Sequence, residues 1–278
     1  MSRIIACIGS GTMGLALMKG VARSKNFAYS IGFTDRDQAK AAAAAKAVSA
    51  SVYASNIVAV SQGDFVFLAV KPQVLAGVLA EIAPMVKSRI DSGGSPLLIS
   101  MAAGWSIKRI QEALGGPGSP VPGIIRIMPN TPALIGQGLI ALAASPDIPE
   151  ARICELKHIL AGSGVVDPIE ESYLDAVTAL SGSGPAFVYL FIEALVDGGV
   201  RTGLPRDKAL LYAIQTLLGS VGMIQETGKH LGELKDMVTS PGGTTIAGLA
   251  ALETGAFRGI VMNAMEAAWK RSKELSSE

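Results

Sequence analysis

The first fourteen residues restrict what this chain can fold into more than any other stretch. Arg3 to Ile8 is a short apolar run rich in β-branched residues, as a strand buried on both faces of a parallel sheet requires. Gly9-Ser10-Gly11-Thr12-Met13-Gly14 follows at once, and Leu15 to Arg23 then places its apolar residues at helical spacing. Strand, G-x-G-x-x-G and helix, in that order, open a βαβ unit that cradles a dinucleotide. The first glycine permits the tight turn, the second lets a pyrophosphate reach the backbone, and the third lets the helix pack on the strand.

A second strand, Ser30 to Thr34, ends in Asp35-Arg36. An acidic residue there accepts hydrogen bonds from the ribose of NAD, whereas an arginine pairs with the 2′-phosphate of NADP. Asp35 is also placed to cap the helix of Gln38 to Ala47, and Arg36 to be solvated. The balance tips to NADPH, with NADH possible, because a guanidinium matches phosphate geometry. Phe65 to Val70, Leu97 to Met101 and Ile124 to Met128 read as further strands. They end in Lys71-Pro72-Gln73, Ala102-Ala103-Gly104 and Pro129-Asn130-Thr131-Pro132, at the sheet edge where open α/β folds bind ligands. Lys71 stays open between a solvated strand-end charge and a residue lying along the cofactor. Gly115 to Pro120 reads as an inserted loop, and Leu139 to Ala143 and Gly164 to Asp167 as late strands. Beyond about residue 165 every segment has helical spacing: Ser172 to Leu180, Gly184 to Thr202, Arg206 to Thr227, Leu231 to Met237, Thr244 to Glu253 and Phe257 to Leu275. The expectation is an α/β protein: an N-terminal Rossmann doubly wound sheet over residues 1–165, then an all-helical C-terminal domain over 166–278.

Composition narrows the function. A net charge of +1 without a basic stripe argues against nucleic acid. Only 17% of residues are charged, so apolar helix surface is expected to be covered by another subunit. Ala186 to Leu195, the strongest late apolar run, is shorter than a membrane span and is followed by Asp197, so it reads as a buried or interfacial helix. Cys7 and Cys154 do not form a disulfide framework, and no secretory signal opens the chain, which points to the cytoplasm. His158 and His230 sit among lysines and glutamates and read as surface residues. No H-x-x-E-H, C-x-x-C or G-x-S-x-G occurs, so neither a metal site nor Ser-His catalysis is expected.

Thr239-Ser240-Pro241-Gly242-Gly243-Thr244-Thr245 is a turn running into a helix, with Thr244 placed as its cap. Two readings are open: a capped helix start, or a seat where N–H groups take a small carboxylate beside spare hydroxyls. The shortage of histidine bears on the chemistry. Reducing a ketone requires a proton donor for the developing alkoxide. A protonated cyclic imine becomes a neutral amine on hydride transfer, so positioning is the main task. Threonines, serines and amides without a histidine fit imine reduction better than alcohol oxidation.

Five blocks carry a resemblance over nearly the whole chain: Gly9 to Gly14, Ala69 to Gln73, Arg126 to Ala133, Leu180 to Ala186, and Leu234 to Thr245. Together they resemble the pyrroline-5-carboxylate reductase family, which reduces the cyclic imine L-Δ1-pyrroline-5-carboxylate to L-proline with NADPH or NADH. The resemblance implies cofactor contacts at Gly9, Ser10, Gly11, Thr12, Met13, Asn56, Ala69, Val70, Lys71 and Ala103, with Arg36 at the adenosine-end phosphate. It implies substrate contacts at Ser240, Gly243, Thr244, Thr245 and Glu171, with the Thr245 hydroxyl as the catalytic group on the ring nitrogen. It also implies helical dimers that assemble into decamers. Met237 departs from relatives with a polar residue there, so it is left out of the site. A β-hydroxyacid dehydrogenase is a rival of the same architecture, but the position of its catalytic lysine, counted from Gly184, holds Val188. A second rival is a sensing or scaffold protein that binds NADP without turnover.

Overall fold

The computed structural model describes residues 3–24, 29–116 and 121–277. β1 (Arg3–Ile8) leads into α1 (Thr12–Arg23), β2 (Tyr29–Thr34) into α2 (Gln38–Val48), and β3 (Ser51–Val52) into α3 (Asn56–Gln62). Then come β4 (Phe65–Leu68), α4 (Pro72–Asp91), β5 (Leu97–Ser100), α5 (Ile107–Leu114), β6 (Gly123–Pro129), β7 (Gly138–Ala144), α6 (Glu150–Leu160) and β8 (Gly164–Pro168). The strands form one sheet in the order β3-β2-β1-β4-β5-β6-β7-β8. β1 to β6 run parallel, so the strand order reverses between β1 and β4 and opens a crevice beyond their carboxyl ends.

Alternation along each buried strand feeds two cores. Ile5, Cys7, Phe65, Phe67, Leu97 and Ile99 face α1, α2 and α6. Ala6, Ile8, Val66, Leu68 and Leu98 face α3, α4 and α5. A strand covered on both faces loses its polar alternation, which is why these read as continuous apolar runs.

β7 runs antiparallel to β6 because only the short helical turn Thr131–Ile135 joins them, too little chain for a crossover. β8 runs parallel to β7. The two-residue β3 carries no sequence pattern; it is set by Tyr53 N donating to Phe33 O at 2.7 Å. Residues 117–120 of the expected inserted loop lie outside the described residues.

The chain divides into two compact units, Met1–Ser183 with Ala268–Glu278, and Gly184–Ala267. The boundary expected at 165/166 falls inside β8, whose pairing with β7 keeps that segment in the sheet. The first unit also contains α7 (Leu174–Val177) and a wide helical turn over Thr178–Gly182, where Ser183 N donates to Thr178 O at 2.9 Å. The gap expected between the helices Ser172 to Leu180 and Gly184 to Thr202 is therefore largely filled by a widened stretch of helix.

The second unit contains α8 (Gly184–Arg201), α9 (Arg206–Thr227), α10 (Leu231–Met237), α11 (Thr244–Thr254) and most of α12 (Phe257–Ser277). Ile192, Val196 and Val200 pack against Ala209 and Ala213, and the Phe191 and Phe257 rings meet at 5.9 Å. Its helices carry many exposed apolar side chains, among them Tyr189, Leu190, Leu211, Leu218 and Met262. Ala186 to Leu195 is thus not buried within the chain. It belongs to the helical stretch Glu171–Arg201, which by length and composition alone is sufficient to cross a membrane, longer than the ten-residue run suggested.

The last turns of α12 belong to the first unit. Ser272 and Ser276 each donate to Asp175 Oδ1, at 2.6 and 3.2 Å.

Candidate functional site

The crevice at the strand-order reversal is a cavity of about 730 Å³. Gly9, Gly11, Arg36, Asn56, Ala69, Val70 and Lys71 line it, so seven of the eleven expected cofactor contacts come together there. Gly9 has φ +100°, a conformation open to glycine, and a Cβ on it would stand 2.7 Å from Ala69 O. Its amide donates to Thr34 O at 2.8 Å, which fits the end of β1 tightly between the ends of β2 and β4. A Cβ on Gly14 would stand 2.7 Å from Gly9 O and 3.3 Å from Cys7 Sγ, so the third glycine is set by helix-on-strand packing. Gly11 differs: a Cβ there would meet nothing within 4 Å. The protein itself does not use that space, as expected of the position where pyrophosphate meets the backbone. Gly11 is also the N-cap of α1 and carries no side-chain cap, so the N–H groups at Thr12 and Met13 open a helix suited to an anion.

Asp35 does not cap α2; Asp37 does, accepting from Ala39 N and Lys40 N at 3.1 and 3.2 Å. Asp35 instead ties down the glycine turn. Its Oδ2 accepts from Ser10 N and Ser10 Oγ, both at 2.8 Å, and its Oδ1 from Asp37 N at 3.0 Å. Burial pushes its pKa up, but the hydrogen bonds from Ser10 and Asp37 outweigh burial and hold it below the usual carboxylate range. Beneath the turn, Cys7 Sγ donates to Gly9 O at 3.2 Å. Burial, with Asp35 nearby, raises the pKa of this thiol and keeps it protonated and unreactive.

Several lining residues carry no motif. Lys40 lies in the first turn of α2, and Val74, Gly77, Val78 and Glu81 line one face of α4. Their i, i+3, i+4, i+7 spacing was the available signal. Asn56 Nδ2 donates to Glu81 Oε2 at 2.8 Å, which ties the start of α3 to α4 across the crevice wall.

Ala103 is outside the lining. It sits half-buried on the loop after β5 and packs on the cluster of Met128, Ala141, Ala143 and Leu174. Glu171 is drawn into structure as well. Its Oε1 accepts from Arg126 Nη1 and from Ile107 N, both at 2.7 Å. Arg126 is a buried charge, so this partner is obligatory, and nothing in the sequence announced it. Two resemblance blocks are joined in the same way: Asn130 Nδ2 donates to Ser181 Oγ at 3.0 Å, and Asn130 Oδ1 accepts from Leu139 N at 2.9 Å.

In the second unit the N-cap of α11 is Gly243, not Thr244, and no side chain caps it. Thr244 and Thr245 are the first and second helical residues. Gly242 makes the turn at φ +67°, and Gly243 N donates to Ser240 O at 3.1 Å. A Cβ on Gly243 would collide with Ser240 Oγ, so glycine here leaves room for that hydroxyl beside the helix start. Ser240, the first amides of α11 and the two threonine hydroxyls form one polar group suited to a carboxylate. Of the histidines, His230 is the N-cap of α10, accepting from Gly232 N at 3.1 Å.

The comparisons with known proteins agree with this geometry. A family described as pyrroline-5-carboxylate reductase dimerisation matches residues 171–275, and one described as NADP oxidoreductase, coenzyme F420-dependent, matches residues 4–104. A pyrroline-5-carboxylate reductase of Glycine max is 42% identical over 276 residues, covering 99% of this chain and 97% of the relative. One of Synechocystis sp. is 42% identical over 279 residues and covers both chains fully. Among solved structures, the Plasmodium falciparum pyrroline carboxylate reductase with NADP bound has a TM-score of 0.86 at 33% identity, covering 99% of this chain and 98% of that one. The dinucleotide crevice, the uncapped helix start after the twin glycines and likeness along the full length all point the same way: the chain belongs to the pyrroline-5-carboxylate reductase family.

Proposed function

We infer that this protein is an NAD(P)H-dependent reductase that converts L-Δ1-pyrroline-5-carboxylate to L-proline, the last step of proline biosynthesis. The observation that carries this is full-length identity above 40% to reductases of that name, on a chain whose glycine turn leaves Gly11 open to a pyrophosphate.

Gly9 to Met13, Arg36, Asn56 and Ala69 to Lys71 hold the dinucleotide, with Ala103 on the next strand end. When bound, reduced nicotinamide supplies a hydride. The substrate carboxylate sits on the first amides of α11 with Ser240, and Thr245 Oγ1 orients the ring nitrogen. With the ring nitrogen already protonated, addition of that hydride to the imine carbon would move the C=N π pair onto nitrogen and give a neutral amine, so the chain need supply no proton. No histidine is required for that balance. Glu171 contributes by holding Arg126 and the start of α5 rather than through its own charge on the ring.

NADPH is the proposed cofactor. Both Asp35 oxygens are engaged by the chain, so Asp35 is a poor ribose acceptor, while Arg36 and Lys40 line the same crevice. Arg36→Ala is expected to weaken NADPH by about 1–3 kcal/mol and to change NADH binding little. Equal losses for both cofactors would remove Arg36 as the phosphate reader.

A second copy is the proposed cover for the exposed apolar helices of residues 171–275, including the span-length stretch Glu171–Arg201. Such dimers are proposed to assemble further into decamers. Light scattering is expected to give a dimer or a multiple of it; a stable folded monomer of 28.6 kDa would contradict this. Free thiols at Cys7 and Cys154 support a reducing cytoplasm as the proposed location.

The test of the activity is oxidation of NADPH and of NADH with pyrroline-5-carboxylate, followed by identification of proline. Cofactor binding without turnover would favour a sensing protein.

A further inference from the structure

In the first unit, the loop 101–106 follows β5 and carries Ala103. It lies beside the end of β4, where Lys71 and Pro72 open α4. One side chain joins the two: Trp105 Nε1 donates to Pro72 O at 3.1 Å. Trp105 is only 7% exposed and is not among the residues lining the crevice. A buried indole N–H requires an acceptor, and this one is the first-turn carbonyl of the helix whose opening residues, Lys71 and Val74, wall the cofactor crevice.

The indole is itself held. The Arg109 guanidinium lies over its ring, 4.2 Å from the centroid, and Arg109 Nη1 donates to Gly104 O at 3.2 Å. Gly104 has φ +79°, and a Cβ on it would collide with the Leu275 carbonyl, so the loop has no slack on that side. Ser106 caps α5 through Arg109 N, and Glu171 holds Ile107 N. The loop is fastened to α5 and to Glu171 and packs closely on the end of α12; the β4–β5 pairing ends with Met101 N donating to Leu68 O at 3.4 Å, and Trp105 adds a side-chain tether beyond it, from the loop to the start of α4.

We propose that Trp105 is a positioning residue for the nicotinamide cofactor: its N–H ties loop 101–106 to the start of α4 beyond the last β4–β5 pair and so fixes Ala103 relative to Lys71. The proposal rests on the cofactor reading above. Deleting the N–H removes that tether and frees the two loops to separate. The cost falls on cofactor binding rather than on the chemistry.

Trp105→Phe keeps a ring beneath Arg109 and removes the donor together with part of the buried ring volume. The dissociation constant for NADPH, titrated directly without substrate, is expected to rise about three- to tenfold, the worth of one hydrogen bond. The KM for NADPH should rise with it, while kcat at saturating NADPH and the KM for pyrroline-5-carboxylate stay within about twofold. A general loss of packing would not produce that split. If Trp105→Phe does not fold, Arg109→Gln leaves the indole in place but loosens it, and a smaller rise in the same constant is expected. A folded variant whose NADPH dissociation constant is unchanged, or one that loses kcat alone, overturns the proposal. The wild-type enzyme separates the two readings. If it binds NADPH but does not reduce the imine, the reductase assignment fails and the Trp105 result still stands. If it binds no NADPH, the cofactor reading fails and takes Trp105 with it.

Discussion

Gly9→Ala is expected to cost about 3 kcal/mol of stability or more, and Gly11→Ala almost none, although the two glycines are two residues apart in one motif. At Gly9 a side chain meets two penalties together. The backbone has φ +100°, which costs an L-residue about 1–3 kcal/mol. Its Cβ would also stand 2.7 Å from Ala69 O, a main-chain atom of a buried strand end that cannot swing aside, and overpacking of that kind costs about 1–3 kcal/mol more. Against a typical total of about 5–15 kcal/mol this is a large loss. At Gly11 the backbone is extended, at φ −67° and ψ 176°, and the added methyl meets nothing. Gly11→Ala should therefore melt like the wild type, yet bind NADPH at least about tenfold more weakly, because the methyl occupies the space the pyrophosphate needs. Chemical denaturation and a cofactor titration on both variants check this. If Gly11→Ala binds NADPH normally, the dinucleotide does not lie against this turn.

Thr245→Ala is expected to lower kcat about 10- to 100-fold while leaving the NADPH dissociation constant within about twofold. Thr245 is the second residue of α11, beside the uncapped amides proposed to seat the carboxylate, so on that reading its hydroxyl is fixed relative to the group that anchors the substrate. A ring held at its acid end but not at its nitrogen is free to rotate away from the productive orientation, and that costs rate rather than cofactor affinity. Thr245→Ser should restore most of the loss, since the hydroxyl returns. Unchanged kcat in Thr245→Ala, measured at saturating substrate, would mean that the ring nitrogen is oriented by another group.

Much of the crevice was legible from local pattern. A buried parallel strand is an unbroken apolar run, and a glycine turn between strand and helix has a dedicated use, so β1, α1 and the place of Gly9 and Gly11 at the crevice follow from neighbours in sequence, whereas Lys71 stayed open until the fold set it in the same crevice. Helix caps were less legible. Asp35 and Thr244 are both residues that cap helices well, yet Asp37 and Gly243 occupy those positions. For Asp35 the competitor is not local: Ser10, 25 residues away, engages it. Glu171 shows the same effect over a longer range, since its partners Arg126 and Ile107 lie 45 and 64 residues back.

By itself the sequence determined the class of fold, the kind of cofactor and the chemistry open to a chain with hydroxyls and amides but no catalytic histidine. These depend on periodicity, on glycine placement and on which functional groups are present, all of which survive in one dimension. Only the tertiary structure decided which polar groups stay available to a ligand and which the chain uses for itself. Asp35 is taken by Ser10, Glu171 by Arg126, and the indole N–H of Trp105 by Pro72, whereas the amides opening α11 are left without a cap. A buried hydrogen-bonding group must find a partner wherever the fold brings one, and distance along the chain does not limit that choice.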